Sequence, residues 1–489
     1  MIAVPLAFAF LSGLLYALAF PPFNYSIIAW LALIPLLMMS MGTWRRNFLF
    51  GFTAGFIANL IIFGWLWATF NAAQVGFMVT LGSWLSLSAL MALYFALFMV
   101  AYGFFPDNWM KPLLAAATWV VLEEIRAYVI TGFPWASLAH TQAYNLPFIQ
   151  ISSVTGAAGV TFLLVAVNAA LARRNKIGKA VVAGILVPVV LFGLYRLKQV
   201  PPIGDSAFLN VAILQGNIDQ YKKWDDDYET DIRVQYETLA AVAASTRPDL
   251  IVWPESSVPG WYPNEERYRE WTEEIVKKTK TFNLIGAVTK EDGKPFNSAF
   301  LFTPEALLLG RYDKRHLVPF GEYIPFGAFL GRWIPYLGQL GLFAAGENDN
   351  VLTMGYVQMN VNICYEAIFG GMIRKSVNKG ADVIINLTND GWFLHTGAPE
   401  QHYLANIFRA IENGKPVIRA ANTGISAVID AQGREIARSA LLERTVLEGT
   451  VLITPGSSTL YSKLGAWFSI LCFLGLIVWA GTFWRSVRK

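Results

Sequence analysis

Three side chains in the C-terminal half of the chain are of the types that nucleophilic acyl transfer needs: the thiol of Cys364, the ammonium of Lys314 and the carboxylate of Glu255. Glu255 closes the run Ile251-Val252-Trp253-Pro254-Glu255-Ser256, and Cys364 closes Asn362-Ile363-Cys364-Tyr365-Glu366. Lys314 lies in Arg311-Tyr312-Asp313-Lys314-Arg315-His316-Leu317-Val318-Pro319-Phe320-Gly321-Glu322. A nucleophile on a strand that turns into a helix is presented at the rim of a sheet, where the next backbone N–H groups can stabilise a thiolate and an oxyanion. An ordinary thiol is mostly protonated near neutrality. A carboxylate such as Glu255 can take its proton, and a nearby ammonium favours the thiolate. Lys314 can also donate to the oxyanion of a tetrahedral intermediate, and Glu322 can pair with Lys314 and keep it charged. Taken singly, each has a plainer reading: Cys364 as core filler, Glu255 as a surface carboxylate, Lys314 as part of a solvated basic turn with Arg311 and Arg315. It is the three strings together, in this order, that carry the signal.

The elements that must position these residues lie in the polar middle of the chain, 200–456, which holds 24 Lys/Arg and 31 Asp/Glu. Short β-branched runs bounded by Gly, Pro, Asn or Asp predict strands at Leu209–Gln215, Leu250–Trp253, Leu284–Val288, Ser298–Thr303, Gln358–Ile363, Val383–Leu387, Val417–Ala421, Ser426–Asp430 and Thr445–Ile453. Helices are predicted near 227–246, 264–280, 366–379 and 399–413, with Asn264 as a start signal for the second. Strands alternating with helices and then following one another predict a layered α/β sandwich.

Outside this middle the composition changes. Residues 1–199 hold ten Lys/Arg against three Asp/Glu, and 457–489 hold four Lys/Arg and no acid. Over the whole chain charged residues are 15% and hydrophobic residues 55%, with mean hydropathy +0.43; soluble proteins average roughly 25% charged. Disordered, collagen-like and nucleic-acid-coating chains are excluded, and a wholly soluble protein is disfavoured. Eight membrane spans are predicted, near 3–20, 25–41, 48–70, 77–103, 111–129, 147–171, 178–197 and 464–484. The first lacks a basic leader and a clear cleavage site, so it is taken as a helix and not as a signal peptide. Arg45, Arg46, Lys111, Arg173, Arg174, Lys176 and Lys179 fall in alternate loops, and Arg485, Arg488 and Lys489 in the tail, which places both termini in the cytoplasm and the polar middle outside it. Arg196 and Lys198 run against that orientation. Glu123, Glu124 and Arg126 interrupt an apolar span, as an Arg126–Glu123 pair or as a lipid headgroup contact. The cysteines are Cys364 and Cys472, so no disulfide can form within the middle segment. His140, His316, His395 and His402 lack a metal-ligand pattern, and neither a Gly-rich phosphate loop nor a basic nucleic-acid face is present. No metal or cofactor is expected.

With these motifs the sequence resembles the nitrilase superfamily, and with its flanking apolar segments it is similar to the apolipoprotein N-acyltransferase family, the membrane-embedded branch. The likeness extends to Gly132-Phe133-Pro134-Trp135, Gln215-Gly216-Asn217, Lys223-Trp224, Asn389-Asp390-Gly391-Trp392-Phe393 and Arg419-Ala420-Ala421-Asn422-Thr423-Gly424-Ile425-Ser426. It implies an αββα sandwich with Glu255 as general base and acid, Lys314 as oxyanion stabiliser, Cys364 as nucleophile and Glu322 as supporting carboxylate. Tyr365 and Glu366 would flank the nucleophile, the Tyr365 N–H being a candidate oxyanion donor. Trp224, Trp392 and Phe393 would be apolar lid elements holding acyl chains, or ordinary packing. The implied reaction is ping-pong: an acyl chain passes from a phospholipid, phosphatidylethanolamine, to Cys364, and then to the α-amine of the diacylglyceryl-cysteine of an apolipoprotein. The implied setting is the bacterial inner membrane, with the catalytic domain (201–456) facing the periplasm between seven spans (1–200) and an eighth (457–489). A monomer is expected. Two other classes compete: a membrane-tethered amidase or nitrilase that admits water to the same triad, and a non-enzymatic transporter or sensor. The last would place ionisable groups deep in several spans, whereas only the Glu123–Arg126 cluster is seen.

Overall fold

The structure, a computed structural model, describes residues 3–40, 42–199, 206–325, 343–348 and 351–487. Arg488 and Lys489, used above for orientation, lie outside these. The chain forms two compact units: a helical unit of Met1–Gln199, Phe393–Leu404 and Lys463–Lys489, and an α/β unit of Val200–Trp392 and Ala405–Ser462.

The α/β unit contains β1 (Ala207–Gln215), β2 (Leu250–Val252), β3 (Phe282–Glu291), β4 (Lys294–Phe302), β5 (Leu308–Asp313), β6 (Leu352–Met354), β7 (Val357–Ile363), β8 (Val383–Thr388), β9 (Val417–Ala421), β10 (Ala427–Ile429), β11 (Glu435–Arg438) and β12 (Thr445–Ile453). They form two six-stranded sheets, ordered β12-β1-β2-β3-β4-β5 and β11-β10-β9-β8-β7-β6. The central strands β1, β2 and β3 are parallel, as are β7, β8 and β9. Strands buried on both faces read as nearly continuous apolar runs, which is why these were legible in the sequence. Alternate residues meet between the sheets: Leu209, Val211 and Ile213 of β1 share one core with Val361 and Ile363 of β7 and Val383, Ile385 and Leu387 of β8. The opposite residues of the first sheet, among them Leu214, Ile251, Trp253 and Ile285, pack on Tyr236 and Leu239 of the helix Glu229–Ser245 and on Trp271 and Ile275 of the helix Glu266–Thr279. The expected layered sandwich is therefore present.

Three strands escaped the sequence reading. β6 is only three residues long, β5 carries Gly310 at an edge, and β11 is largely exposed and has no apolar alternation to betray it. Asn264 does not cap the helix as expected. Its side chain instead accepts from Lys290 N (2.8 Å) and Thr289 Oγ1 (3.1 Å) and donates to Lys290 O (2.8 Å), so it ties the turn to β3, and the helix begins at Glu266.

In the helical unit, three helices are long and apolar enough to cross a membrane: Phe77–Phe104, Lys176–Lys198 and Trp467–Arg485. Trp44–Ile62 and Trp65–Ala72, bent by 45°, make a fourth candidate among the described residues. The other stretches of the expected eight are helical but shorter or interrupted. The stretch near 25–41 breaks into Ser26–Trp30 and Ile34–Met38, the latter opening with Pro35. The stretch near 147–171 breaks at Gly156, whose φ of +68° lies in the left-handed region. Such breaks are tolerated in apolar surroundings only where other groups satisfy the freed backbone. Here Asn168 does so, accepting from Leu33 N (2.9 Å) and donating to Ala29 O (2.9 Å), while Ser12 Oγ donates to Ala32 O. Glu123 accepts from Ser137 Oγ (2.8 Å), Thr161 Oγ1 (3.0 Å), Leu138 N (3.0 Å) and Trp119 Nε1 (3.2 Å), with Arg126 Nη2 at 3.9 Å. The ion pair considered above is thus the weakest part of a neutral-donor cage. Gln401 donates to Pro21 O (2.9 Å) and Ile62 O (3.1 Å) and accepts from Trp135 Nε1 (2.8 Å), which fastens the segment Phe393–Leu404 into this unit.

Candidate active site

Cys364 is the first residue after β7 and has φ +53°, a left-handed conformation that an L side chain adopts at a cost of about 1–3 kcal/mol. Such strain persists only where the surroundings over-determine it, and here Glu366 does so. Its carboxylate, with no exposed surface, accepts from Ile363 N (2.7 Å), Arg315 N (2.8 Å), His316 N (3.0 Å) and Tyr312 Oη (2.9 Å). One side chain thereby joins the nucleophile turn to the loop that follows Lys314. Burial raises the Glu366 carboxyl above its ordinary range, partly offset by those backbone donors. Asn386 Nδ2 adds a contact to Cys364 O at 3.3 Å.

Glu255 follows β2 on a turn held against β3, where Ser257 N and Oγ both donate to Gly286 O (2.6 and 2.9 Å). A Cβ at position 286 would collide with Pro254 O, so only glycine allows this approach. The Glu255 carboxylate is buried and almost fully occupied. Oε1 accepts from Asn297 Nδ2 (2.6 Å) and lies 3.5 Å from Lys314 Nζ, and Oε2 accepts from the backbone N of Asn389 (2.7 Å). Lys314, at the end of β5, donates to Glu322 Oε1 at 2.8 Å. Glu322 Oε2 in turn accepts from Val318 N (2.8 Å), which closes the loop on itself.

The electrostatics follow from this packing. Burial opposes the charge on Lys314, but the carboxylates of Glu322 and then Glu255 outweigh it and hold the ammonium well above the usual lysine range. The Cys364 thiol is pushed up to about 12, first by burial and then by the Glu255 charge, with Lys314 pulling the other way. A thiol so placed rests protonated at neutral pH, beside a carboxylate able to take the proton and a permanent cation able to meet an oxyanion.

Of the residues singled out from the sequence, Glu255, Lys314 and Glu322 are brought into one hydrogen-bonded chain, and Cys364 lies within the field of the first two. The Tyr365 ring is buried against His316 and Phe369, at centroid distances of 5.7 and 5.1 Å. Trp224 and Trp392 are exposed, with Trp392 edge-on to Tyr221. Phe393 belongs to the helical unit and packs on Trp65 and Trp135, at 5.0 and 5.9 Å. Asp390 is not a loop ornament: it forms a fully buried pair with Arg419 (2.7 Å), which binds the end of β8 to β9.

Three groups were missed by the sequence reading. Asn297 bridges Glu255 and Glu322 (2.6 and 3.3 Å), and its only sequence signal is a polar residue inside the apolar run of β4. The Asn389 backbone N–H carries no signal of side-chain type at all. Lys223 is buried and donates to Glu255 O at 3.1 Å; the sequence singled it out only as the neighbour of Trp224 and gave no sign of its burial or of its partner.

A two-sheet domain with this buried carboxylate–ammonium pair beside a half-buried thiol, joined to an apolar helical unit, defines the class, and comparison with known proteins gives the family. Residues 12–170 match the apolipoprotein N-acyltransferase N-terminal domain and residues 210–453 match the carbon-nitrogen hydrolase domain. An apolipoprotein N-acyltransferase from Geobacter metallireducens is 36% identical over 98% of this chain and 95% of its own. One from Haemophilus influenzae is 33% identical over 94% and 90%. Among solved structures, an amidase from Nesterenkonia sp. AN1 is 18% identical, covers 53% of this chain and 96% of its own, and has a TM-score of 0.39. The chain belongs to the apolipoprotein N-acyltransferase family and is an enzyme of the N-acyltransferase class.

Proposed function

We propose that the enzyme moves an acyl chain from phosphatidylethanolamine to the α-amine of the N-terminal diacylglyceryl-cysteine of apolipoproteins, through a thioester on Cys364. The observation that carries this reading is the buried Glu255–Lys314–Glu322 chain beside a strained Cys364. In the first half-reaction Glu255 takes the thiol proton as sulfur attacks the ester carbonyl. The oxyanion is met by the Lys314 ammonium and the Tyr365 N–H. Collapse breaks the ester C–O bond, and Glu255 returns the proton to the departing lysophospholipid oxygen. In the second, the acceptor amine attacks the thioester, Glu255 takes a proton from nitrogen, the C–S bond breaks, and the proton passes to sulfur as the amide forms. The high thiol value supports a nucleophile made only as its proton leaves. The exposed Trp224 and Trp392 suit a rim that holds acyl chains and keeps water from the thioester, with Phe393 next in sequence.

Loop charges support both termini in the cytoplasm and a catalytic domain (201–456) facing the periplasm, between seven spans and an eighth in the inner membrane. The test is intact-protein mass spectrometry of the wild type and Cys364→Ala after incubation with phosphatidylethanolamine. A hydroxylamine-labile adduct on the wild type alone, discharged by a diacylglyceryl-cysteine peptide, is expected. Discharge by water but not by the peptide would make the enzyme a hydrolase, and no adduct on folded protein would refute the mechanism.

A further inference from the structure

We propose that Lys223 is a positioning residue of the acyl transfer: its buried ammonium clamps the main chain of Glu255 to the loop Gly216–Trp224, so that the base and the aromatic rim on that loop are held as one body. This rests on the role given to Glu255 above. Several contacts fasten the loop, beginning with Asn217, whose N donates to Asn422 O and whose side chain donates to Leu442 O (both 2.8 Å). Ile218 N and O meet the Asn422 side chain (3.0 and 2.8 Å). Gln220 Oε1 accepts from Asn389 Nδ2, and the backbone N of the same Asn389 holds Glu255 Oε2 (2.7 Å). Lys223 Nζ donates to Glu255 O (3.1 Å). Two of these anchors converge on Glu255, one directly and one through Asn389. On the outer side of the same loop Tyr221 and Trp224 are exposed.

The cost of the arrangement argues for its purpose. An ammonium taken out of water is expensive, and a lysine on a loop can normally snorkel to solvent. Lys222 does so, its Nζ lying 4.8 Å from the Tyr228 ring centre. Lys223, one residue on, is 2% exposed. Burial lowers its value to about 8, with Glu255 acting in the opposite direction. Glu255 is the charged group that faces it among the described residues, and behind Glu255 stand Lys314, Glu322 and Cys364. Lys314 and Cys364 lose their protons well above 8, so the clamp is the member of this cluster that weakens as the solution turns mildly alkaline.

The experiment follows single-turnover acylation of Cys364 by phosphatidylethanolamine vesicles, in the full-length enzyme and without acceptor. Leaving out the acceptor removes its α-amine, which titrates at about 7.7–8.0. The wild-type rate is expected to fall as pH rises through about 8. Lys223→Arg, which stays charged, is expected to acylate within about threefold of wild type at neutral pH and to lose that fall. Lys223→Met is expected to be slower by about 10- to 100-fold at neutral pH, the loss of one charged hydrogen bond, with no fall through about pH 8, so that the wild type approaches it on the alkaline side. A Lys223→Met enzyme with wild-type rate and profile, or a Lys223→Arg enzyme that keeps the alkaline fall, overturns the proposal. If Lys223→Met fails to fold, the Lys223→Arg profile decides. A wild type that never acylates refutes the underlying reading and the clamp together, whereas an acylating wild type with an insensitive Lys223 refutes the clamp alone.

Discussion

A carboxylate without exposed surface is destabilising unless its oxygens are saturated, and Glu366 meets that condition with three backbone amides and the Tyr312 hydroxyl. Its substitution therefore tests whether the nucleophile turn and the Lys314 loop depend on one another. Glu366→Ala leaves the Ile363, Arg315 and His316 amides unpaired inside the protein. Each costs about 1–3 kcal/mol, so stability should fall by on the order of 3 kcal/mol or more, and acylation of Cys364 should be lost with it. Tyr312→Phe removes one donor and should cost about 1 kcal/mol with acylation largely retained. Chemical denaturation beside the adduct assay checks both, and a Glu366→Ala protein of wild-type stability would show that the two loops do not depend on the Glu366 carboxylate. At this scale residue types carried much of the site, because a thiol, an ammonium and carboxylates have few chemistries in common. What they could not carry was the set of backbone partners: the amides on Glu366 and the Asn389 amide on Glu255 have no side chain to betray them.

Between elements, Trp44–Ile62 and Phe77–Phe104 pack closely in the helical unit. A Cβ on Gly51 would collide with the Phe95 carbonyl oxygen, and one on Gly55 would lie 2.8 Å from Phe95 Cβ. Glycines four apart on one face let two helix backbones approach in apolar surroundings, where van der Waals contact and not water drives association. Gly51→Val should force these helices apart and destabilise the protein by about 1–3 kcal/mol, the usual cost of overpacking. Gly82→Val, where nothing lies within 4 Å of the added carbon, should be close to neutral. Thermal unfolding in detergent separates the two, and equal effects would mean that helix propensity and not packing decides. Elements were legible where their pattern was strong, as in β1, β3 and β8, and illegible where an edge strand was short or polar, as in β6 and β11. The interrupted stretches near 25–41 and 147–171 read as single spans because hydropathy averages over breaks at Pro35 and Gly156, and the first of these is satisfied by the distant side chain of Asn168.

For the whole molecule, the charge bias of the short loops predicts that the α/β unit faces away from the cytoplasm. Placing a cysteine at Glu270, on the exposed face of the helix Glu266–Thr279, in the Cys364→Ala, Cys472→Ala background gives a direct check. A membrane-impermeant maleimide should label it in cells whose inner membrane is intact, and labelling only after that membrane is opened would invert the topology. The sequence by itself determined the division into apolar ends and a polar middle and the layered α/β class of that middle, and it singled out Glu255, Lys314 and Cys364 as candidates for one site. These are properties of composition, periodicity and residue type, and they need no knowledge of distant neighbours. The tertiary structure alone decided that Asn297 bridges Glu255 and Glu322, that Glu366 ties two loops together, that Lys223 is buried where Lys222 is not, and that two apolar stretches are broken. Each of these depends on which groups, far apart in the chain, exclude water from one another, and that is set only when the sheets and helices close.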